Sequence, residues 1–559
     1  MKAVRGTKRY RKLPPSGKGP RATLVSRTAP STAAVNLDVS DRQWQLLGVT
    51  IVLVAACLRF YHLDLVPLHN DEGVNGFFVA TLFRNGVYRY DPANYHGPTL
   101  YYLALVATKA NAFFFGRAGL STVAIRCVPA LFGTATVWLI LKLRRYLGTY
   151  ATLGAATLVT LSPGAVYLSR YFIHEVLFVF FTLILAVAAL RYQETSRPAY
   201  LLLASASAAL LFATKETAII SVVVLGLAYG CKVGYMAWRR AGDKRLDAGR
   251  TVPTLRHSSR EQPADDVGRK PTSRTGRLGV WVVAVALFLN LYILLYSSFG
   301  DNYPKGLYDS LATFRYWGKT GTSQDLHDHF TYLRWLGQAE LPTLLLGLVG
   351  FAMALRQGRN QFVLFSGFWS LGMLSAYSLI PYKTPWLALN ISIPLALIGG
   401  YGLAELYSKV RRMKRQRLRV LLVALLGLGF LISAYQAIDI SFFRYDDDSV
   451  PYVYAHTQRQ FLDLVARLNQ IAARNGTGLL TNMTITAANY WPLPWYLRNY
   501  RHVGYFGHVV PTQEAVVIAE ESQQAELQPK LGDRYDRLGS YNLRPGVVLV
   551  LYVRRNVAR

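Results

Sequence analysis

The sequence predicts a polytopic α-helical membrane protein with about 11 transmembrane helices, a cytoplasmic N-terminus and a small extracytoplasmic α/β domain at its C-terminus. Of its 559 residues, 52% are hydrophobic and only 17% are charged. The apolar residues form long blocks of about 20 residues, the length that crosses a bilayer core about 30 Å thick. Basic residues, which give the chain a formal net charge of +31, collect at the ends of these blocks. This pattern is typical of membrane orientation and not of nucleic-acid binding.

Residues 1–42 are predicted to form a disordered basic tail in the cytoplasm, because they are rich in Arg, Lys, Pro, Ser and Thr and lack an apolar signal sequence. The positive-inside rule then directs the first apolar block, residues 44–61, outwards. The later blocks alternate in direction and lie near residues 120–141, 149–167, 173–190, 198–213, 217–237, 279–296, 341–355, 362–380, 386–407 and 419–440. Every strongly basic loop then falls on the cytoplasmic face. We therefore expect a multi-pass protein of the plasma membrane.

The same pattern divides the rest of the chain into a membrane domain, residues 43–440, and an outer domain, residues 441–559. Within the membrane domain, residues 62–118 and 297–340 are predicted outer loops, the first of them with an interfacial helix. Residues 239–277 are basic, lack hydrophobic periodicity and are predicted to be a disordered cytoplasmic linker. The outer domain is predicted to be α/β, because a helix-like run is followed by a late apolar run typical of a strand.

The cysteines and histidines give no sign of a disulfide or a metal cluster. Cys57, Cys127 and Cys231 lie in or beside apolar blocks without CxxC spacing. His327-Asp328-His329 is the best candidate for a metal site, but positions i and i+2 share a face only on a strand. A divalent metal is compatible with the chemistry considered below, but neither a metal site nor a cofactor is predicted.

Five short polar stretches lie just outside apolar blocks on the predicted outer face. They are His69–Gly73, Tyr95–Tyr102, Ser169–Glu175, Thr214–Glu216 and Tyr382–Trp386. Their order resembles the glycosyltransferase C (GT-C) superfamily, especially its protein-mannosyltransferase and aminoarabinose-transferase branch, which is like glycosyltransferase family 39. In that branch an Asp-Glu pair follows the first helix and a Pro-rich Leu-Tyr-Tyr run comes next. The resemblance implies a GT-C-like fold.

A second resemblance covers nearly the whole chain and is to the membrane proteins described as flippase-activity-associated. It is carried by Tyr382–Trp386, Tyr452–Thr457 and Trp491–Arg498. Two positions depart from the first family. Glu175 stands where the relatives commonly have Asp, and His96 stands where the aminoarabinose-transferase branch has a Lys near the Pro.

The resemblance implies a membrane glycosyltransferase of the hexosyl or pentosyl type, inverting in mechanism, that uses a polyprenyl-phosphate-linked sugar donor. The acceptor class, whether glycan, lipid or protein, stays open, as does the sugar. Such transfer needs a base for the acceptor hydroxyl and cations for the departing phosphate. The candidate catalytic residues are Asp71 as the base, with Glu72 and Glu175 in support. The candidate substrate-binding residues are Lys215, Lys383 and Arg170 for the phosphate, with His96, His174, Glu216 and Tyr382.

Each assignment has a structural alternative. Asp71 and Glu72 could cap a helix, Lys215 and Lys383 could extend to the membrane interface, and Arg170 could pair with Glu175. The Trp491–Arg498 stretch could line a carbohydrate groove or pack the outer domain onto the membrane domain.

Two other classes of function compete with an enzyme. A lipid-sugar flippase, or a non-catalytic partner of one, would need a polar route across the membrane, and a transporter would show inverted repeats with charges at the midplane. The ionisable candidates here collect instead at the outer ends of the apolar blocks. This distribution favours chemistry at the membrane interface.

Overall fold

Helices dominate the computed structural model, which describes residues 39–93, 96–115, 119–248, 274–320 and 327–555. The predicted tail lies outside the described residues up to position 38, and so does most of the predicted linker 239–277. At both ends of that linker the structure differs from the predicted disorder. One helix runs on to Ala248 and the next begins at Arg274.

The helices coincide with the predicted apolar blocks and also occupy the two predicted outer loops. In chain order the described α-helices are α1 (Asp41–Phe60), α2 (Asn70–Asn85), α3 (Thr99–Phe115), α4 (Thr122–Leu141), α5 (Arg144–Leu147), α6 (Thr149–Leu161), α7 (Pro163–Ser169), α8 (Glu175–Thr195), α9 (Pro198–Phe212), α10 (Ala218–Ala248), α11 (Arg274–Tyr296), α12 (Lys305–Thr320), α13 (Thr331–Ala339), α14 (Leu341–Gln357), α15 (Gln361–Leu379), α16 (Leu389–Arg411), α17 (Gln416–Phe442), α18 (Phe461–Arg474), α19 (Leu493–Tyr496) and α20 (Gln524–Leu531). A short 3-10 helix, Pro385–Ala388, leads directly into α16.

Eight of the described helices are long and apolar enough to cross a membrane: α1, α4, α8, α10, α11, α15, α16 with its preceding turn, and α17. Two further pairs, α6–α7 and α13–α14, qualify only together and are bent by 57° and 111°, which raises the count to ten if each pair crosses once. Helix α9 is apolar but has only 15 residues. The predicted membrane class is confirmed, and the count of about 11 crossings stays a prediction.

One carboxylate joins the two bends. Helix α6 ends at Leu161, and the next residue, Ser162, caps the N-terminus of α7. Pro163 cannot continue the hydrogen bonding of α6 because it lacks an N–H. Glu340, at the bend between α13 and α14, is buried and accepts hydrogen bonds from Ser162 Oγ at 2.5 Å and from Gly164 N at 3.0 Å. The two bent helix pairs are thus held against each other at their bends.

Small residues let the central helices approach closely. A Cβ atom on Gly350 of α14 would lie 2.2 Å from the carbonyl oxygen of Ile398 in α16. A Cβ atom on Gly400 of α16 would lie 2.3 Å from the carbonyl oxygen of Ala151 in α6. Glycine is therefore required at these two contacts, as at many helix interfaces in membranes.

The C-terminal region forms the predicted small α/β domain. Its five strands are β1 (Met483–Ile485), β2 (Val503–Tyr505), β3 (Val516–Glu520), β4 (Tyr535–Arg544) and β5 (Val547–Arg554). They form one sheet in the order β2-β1-β3-β5-β4. Strand β1 is parallel to β2 and β3, whereas β5 is antiparallel to β3 and β4.

The stretch Trp491–Arg498 packs this domain onto α2. Two glycines of α2 make room for it, since a Cβ on Gly73 would lie 2.5 Å from Pro492 and a Cβ on Gly76 would lie 2.6 Å from Trp495. The Trp495 ring is 1% exposed, and its Nε1 donates to Thr122 Oγ1 at 3.2 Å. The sequence left open whether this stretch lines a carbohydrate groove or packs the two domains together. Pro492 and Trp495 pack the domains together.

Candidate functional site

A cavity of about 610 Å³ opens where the ends of α2, α8, α10 and α15 meet. Helices α2, α8 and α10 all begin there, so the positive ends of three helix dipoles lie at its wall. Such an arrangement favours an anion in the cavity. The predicted site residues that line the cavity are Asp71, His96, His174, Glu175, Lys215, Glu216 and Tyr382.

Asp71 lies in the first turn of α2 with its side chain 41% exposed. Its backbone N–H donates to Nδ1 of His69, the N-cap residue, at 3.0 Å, and its carboxylate accepts from Asn70 Nδ2 at 3.3 Å. The cap itself is made by His69 and Glu72. The Asp71 carboxylate is therefore open to the cavity instead of being used in the cap.

Glu72 does not face the cavity. It is 0% exposed, and its carboxylate accepts from Arg126 Nε at 2.7 Å and Nη2 at 2.6 Å. It also accepts from the backbone N–H groups of His69 at 3.0 Å and Phe172 at 2.7 Å. Donors surround both oxygens of Glu72, so its carboxylate makes structural contacts, and the supporting catalytic role given to it beside Asp71 stays a prediction. Glu72 joins α2 to α4 and to the segment before α8.

Glu175 and Lys215 form an ion pair at the cavity wall. Lys215 Nζ lies 2.5 Å from Glu175 Oε1, and the two side chains are 6% and 3% exposed. Glu175 is the first residue of α8, where the helix dipole stabilises a carboxylate. This pair replaces the alternative pairing of Arg170 with Glu175.

A second polar pair faces the same space. His96 Nδ1 and Glu216 Oε2 are 2.9 Å apart. Although burial alone would raise the pKa of Glu216, His96 and Lys215 hold it below its usual value. The ring of His174 lies 5.2 Å from that of His96, and its Nε2 lies 3.1 Å from the Gly97 carbonyl oxygen. Burial, with His96 and Lys215 nearby, lowers the pKa of His174 well below its usual value, so this ring is neutral.

The cavity continues into an apolar groove between α10 and α15. This groove has a volume of about 600 Å³ and shares Ile219, Ile220 and Leu379 with the cavity. Its remaining wall is almost entirely apolar and extends to Leu227 and Cys231 along α10. The site therefore combines a chamber with charged side chains in its wall, at the helix ends, with an apolar channel along the helices.

Comparisons with known proteins agree with this architecture. The model of the family described as dolichyl-phosphate-mannose-protein mannosyltransferase matches residues 99–245. The crystal structure of ArnT from Cupriavidus metallidurans in the apo state is similar, with a TM-score of 0.61, 15% identity and coverage of 91% of this chain and 98% of that chain. ArnT bound to undecaprenyl phosphate gives a TM-score of 0.60, also at 15% identity, over 92% of this chain and 98% of that chain. No curated protein matches the sequence.

This chain has the GT-C fold. Within the GT-C fold, two of the predicted phosphate-binding residues lie away from the cavity. Arg170 is 5% exposed and donates to the carbonyl oxygens of Tyr61 at 2.5 Å and His62 at 2.9 Å, beyond the C-terminus of α1. It is a structural cap for that helix end.

Lys383 is also engaged elsewhere in the GT-C fold. It is 0% exposed, and its Nζ donates to the carbonyl oxygens of Ile380 at 2.5 Å and Ser378 at 3.1 Å. These carbonyls lie at the C-terminal end of α15, where a cation is favourable. Its neighbour Tyr382, in contrast, lines the cavity.

Sequence reasoning missed two residues that shape the site. Arg126 holds Glu72, and the signal that could have found it is a lone arginine inside an apolar block. Asn75 lines the cavity one turn after Asp71. Its Nδ2 donates to Phe172 O at 3.0 Å, and its Oδ1 accepts from the Tyr101 hydroxyl at 2.8 Å. Across the described residues, groups of three or more His, Cys, Asp or Glu that could hold a metal ion are absent.

Proposed function

We propose that this GT-C fold protein is a glycosyltransferase that transfers a sugar from a polyprenyl-phosphate-linked donor to an acceptor hydroxyl. One observation carries the proposal. A chamber lined by the Asp71 carboxylate and the Lys215 ammonium is continuous with an apolar groove between two membrane helices. An amphiphilic donor with an anionic head and an isoprenoid chain matches that combination.

The residues divide the reaction between them. The donor phosphate binds near Lys215 and the helix N-termini, and its chain occupies the groove along α10. Asp71 takes the proton of the acceptor hydroxyl as its oxygen attacks the anomeric carbon of the sugar. The bond from that carbon to the phosphate oxygen breaks, and its electron pair leaves with the phosphate. Attack from the face opposite the phosphate inverts the anomeric centre.

Glu175 and Glu216 support the cations of the chamber. Glu175 fixes the Lys215 ammonium, and Glu216 fixes the His96 ring beside it. In this proposal His96 and Tyr382 contact the donor head, and His174 fixes the loop at Gly97. The basic residues Lys142, Arg144 and Arg145 follow the C-terminus of α4, and the positive-inside rule assigns them to the cytoplasm. This assignment supports an extracytoplasmic position for the chamber and insertion in the plasma membrane.

The test is transfer of labelled sugar from synthetic polyprenyl-phosphate sugars to membrane extract by the purified full chain. Asp71→Asn should lose at least about a hundredfold in rate, whereas Asp64→Asn should transfer normally. Asp64 is an exposed carboxylate in the same loop, 60% exposed, and is the matched control. Thermal unfolding of both variants reports their folding.

Either of two results contradicts the proposal. Donor binding without transfer by the wild type would favour a lipid-sugar flippase or a non-catalytic flippase partner. Equal transfer by wild type and Asp71→Asn would remove Asp71 as the base.

A further inference from the structure

The C-terminal sheet presents the carboxyl ends of its parallel strands to the N-terminus of α2. Strand β1 ends at Ile485 and its chain continues to Asn489, while β3 ends at Glu520. Asn489 N donates to Glu520 Oε1 at 2.5 Å, which joins these two ends. In open α/β sheets, ligands bind outside the carboxyl ends of parallel strands, where neighbouring connections diverge. Here that edge faces Asn70, next to Asp71.

Polar contacts run from this edge to Asp71. Arg544, the last residue of β4, donates to Asn489 Oδ1 at 2.5 Å and to Asn70 Oδ1 at 3.4 Å. Asn70 in turn donates to Asp71 Oδ1 at 3.3 Å. All four residues are partly exposed. An arginine of the outer domain thus lies two hydrogen bonds from the carboxylate proposed as the base.

Aromatic rings flank the same polar residues. The Tyr490 ring lies 5.7 Å from that of Trp491 and 5.2 Å from that of Tyr505, and all three side chains are half-buried. Trp491 also lies over α2, edge-on to Phe77 at 6.0 Å. Rings that are partly exposed beside amide, carboxylate and guanidinium groups suit a ligand with apolar faces and hydroxyl edges.

We propose that Asn489, Tyr490, Trp491, Glu520 and Arg544 form an acceptor subsite that binds a carbohydrate. The inference rests on the proposed function, because it assigns the acceptor class for the reaction at Asp71. The side chains of Asn489, Glu520 and Arg544 form hydrogen bonds with sugar hydroxyls, and the rings of Tyr490 and Trp491 stack on sugar faces. Asn70 lies between this subsite and Asp71. A lipid acceptor needs apolar walls such as those between α10 and α15, and the contacts at this edge are polar.

Glycan binding without donor tests the subsite separately from transfer. The fluorescently labelled full chain in nanodiscs is applied to an array of immobilised, lipid-free glycans and unglycosylated peptides. The wild type should retain at least one glycan class, and Asn489→Ala and Tyr490→Ala should each weaken retention about tenfold, the effect of losing one good contact. Tyr490→Phe, which keeps the ring, should bind nearly normally. Asn499→Ala, at an exposed residue of the same domain, is the matched control.

The outcomes separate this inference from the proposed function. Glycan retention that falls in Asn489→Ala and Tyr490→Ala, but not in Tyr490→Phe or Asn499→Ala, supports the subsite, and Asp71→Asn should keep that retention while losing transfer. Absence of glycan retention, equal retention of peptides, or retention unchanged in both alanine variants overturns the subsite even if the wild type transfers sugar. Glycan retention without any transfer overturns the enzyme reading and leaves a glycan-binding site.

Discussion

Two pairs of a glutamate with a cation are buried in this protein, yet they have different surroundings. Glu72 and Arg126 are 0% and 1% exposed and are enclosed by protein hydrogen bonds. Glu175 and Lys215 are nearly as buried, but both line the cavity. The comparison teaches that burial of a pair does not assign its role. A buried pair can contact a ligand only if one of its side chains lines a cavity, as Glu175 and Lys215 do.

The largest expected effect is on the enclosed pair. Arg126→Met leaves the Glu72 carboxylate buried without its cation, and breaking a buried pair in this way costs about 3–5 kcal/mol of unfolding free energy. Thermal and denaturant unfolding of the purified protein measures the loss. Glu521→Gln, which breaks the exposed pair of Glu521 with Arg537, should cost under about 1 kcal/mol. Equal losses of unfolding free energy in the two variants would show that the Glu72–Arg126 pair does not stabilise the fold.

The cavity pair should separate activity from stability. Lys215→Met should lower transfer by about 100- to 1,000-fold, because the departing phosphate loses its cation. The loss of stability should be smaller than for Arg126→Met, since water in the cavity can solvate Glu175. Lys215→Met combined with Glu175→Gln should recover the stability but not the transfer rate. Recovery of both by the double variant would make the pair structural.

The next effect is on the pH dependence of stability. Burial lowers the pKa of His69, His174 and His456, all outside the membrane-spanning helices. The unfolded chain then binds protons that the folded chain does not, so stability falls as the pH drops below about 6.5. The expected loss is about 1.4 kcal/mol per buried histidine for each pH unit.

Unfolding free energies at pH 7.5 and 5.5 measure this loss. His456→Asn should reduce the pH dependence by the share of one histidine, about 1.4 kcal/mol for each pH unit, whereas His62→Asn, at a side chain 52% exposed, should leave it unchanged. A stability that is constant over this range would contradict neutral burial of the three rings.

The smallest effect is expected at Lys383, which sequence reasoning assigned to the phosphate. Lys383→Met removes the cation from the carbonyl oxygens of Ser378 and Ile380. It should cost about 1–2 kcal/mol of stability and reduce transfer less than tenfold, because the side chain lies away from the cavity. A loss of transfer as large as that of Lys215→Met would restore the phosphate-binding role.

Much of the fold could be predicted from the sequence, because bilayer thickness fixes the length of an apolar block. The direction of each block, taken from the basic loops, stays a prediction. The small C-terminal α/β domain also followed from local patterns. Neighbouring residues on a helix, however, differ by about 100° in direction. Asp71 and Glu72 are equivalent in the sequence, but this rotation turns one carboxylate to the cavity and the other to Arg126.

Pairings between distant segments could not be predicted in the same way. Glu175 has Arg170 close to it in the sequence, but its partner is Lys215, which follows α9 in the chain. Lys215 and Lys383 both follow apolar blocks, and only the packing of α15 decides that one faces the cavity while the other caps a helix. The role of Arg544 depends likewise on how the sheet docks onto α2.

The groove between α10 and α15 has a consequence for kinetics. A donor whose chain lies in that groove reaches the chamber by sliding sideways within one leaflet, without passing through water. Its encounters with the protein are then governed by its surface density, so dilution with inert lipid should slow the reaction at constant bulk concentration. Under the proposed function, the Michaelis constant for this donor is a mole fraction of the bilayer and not a molarity.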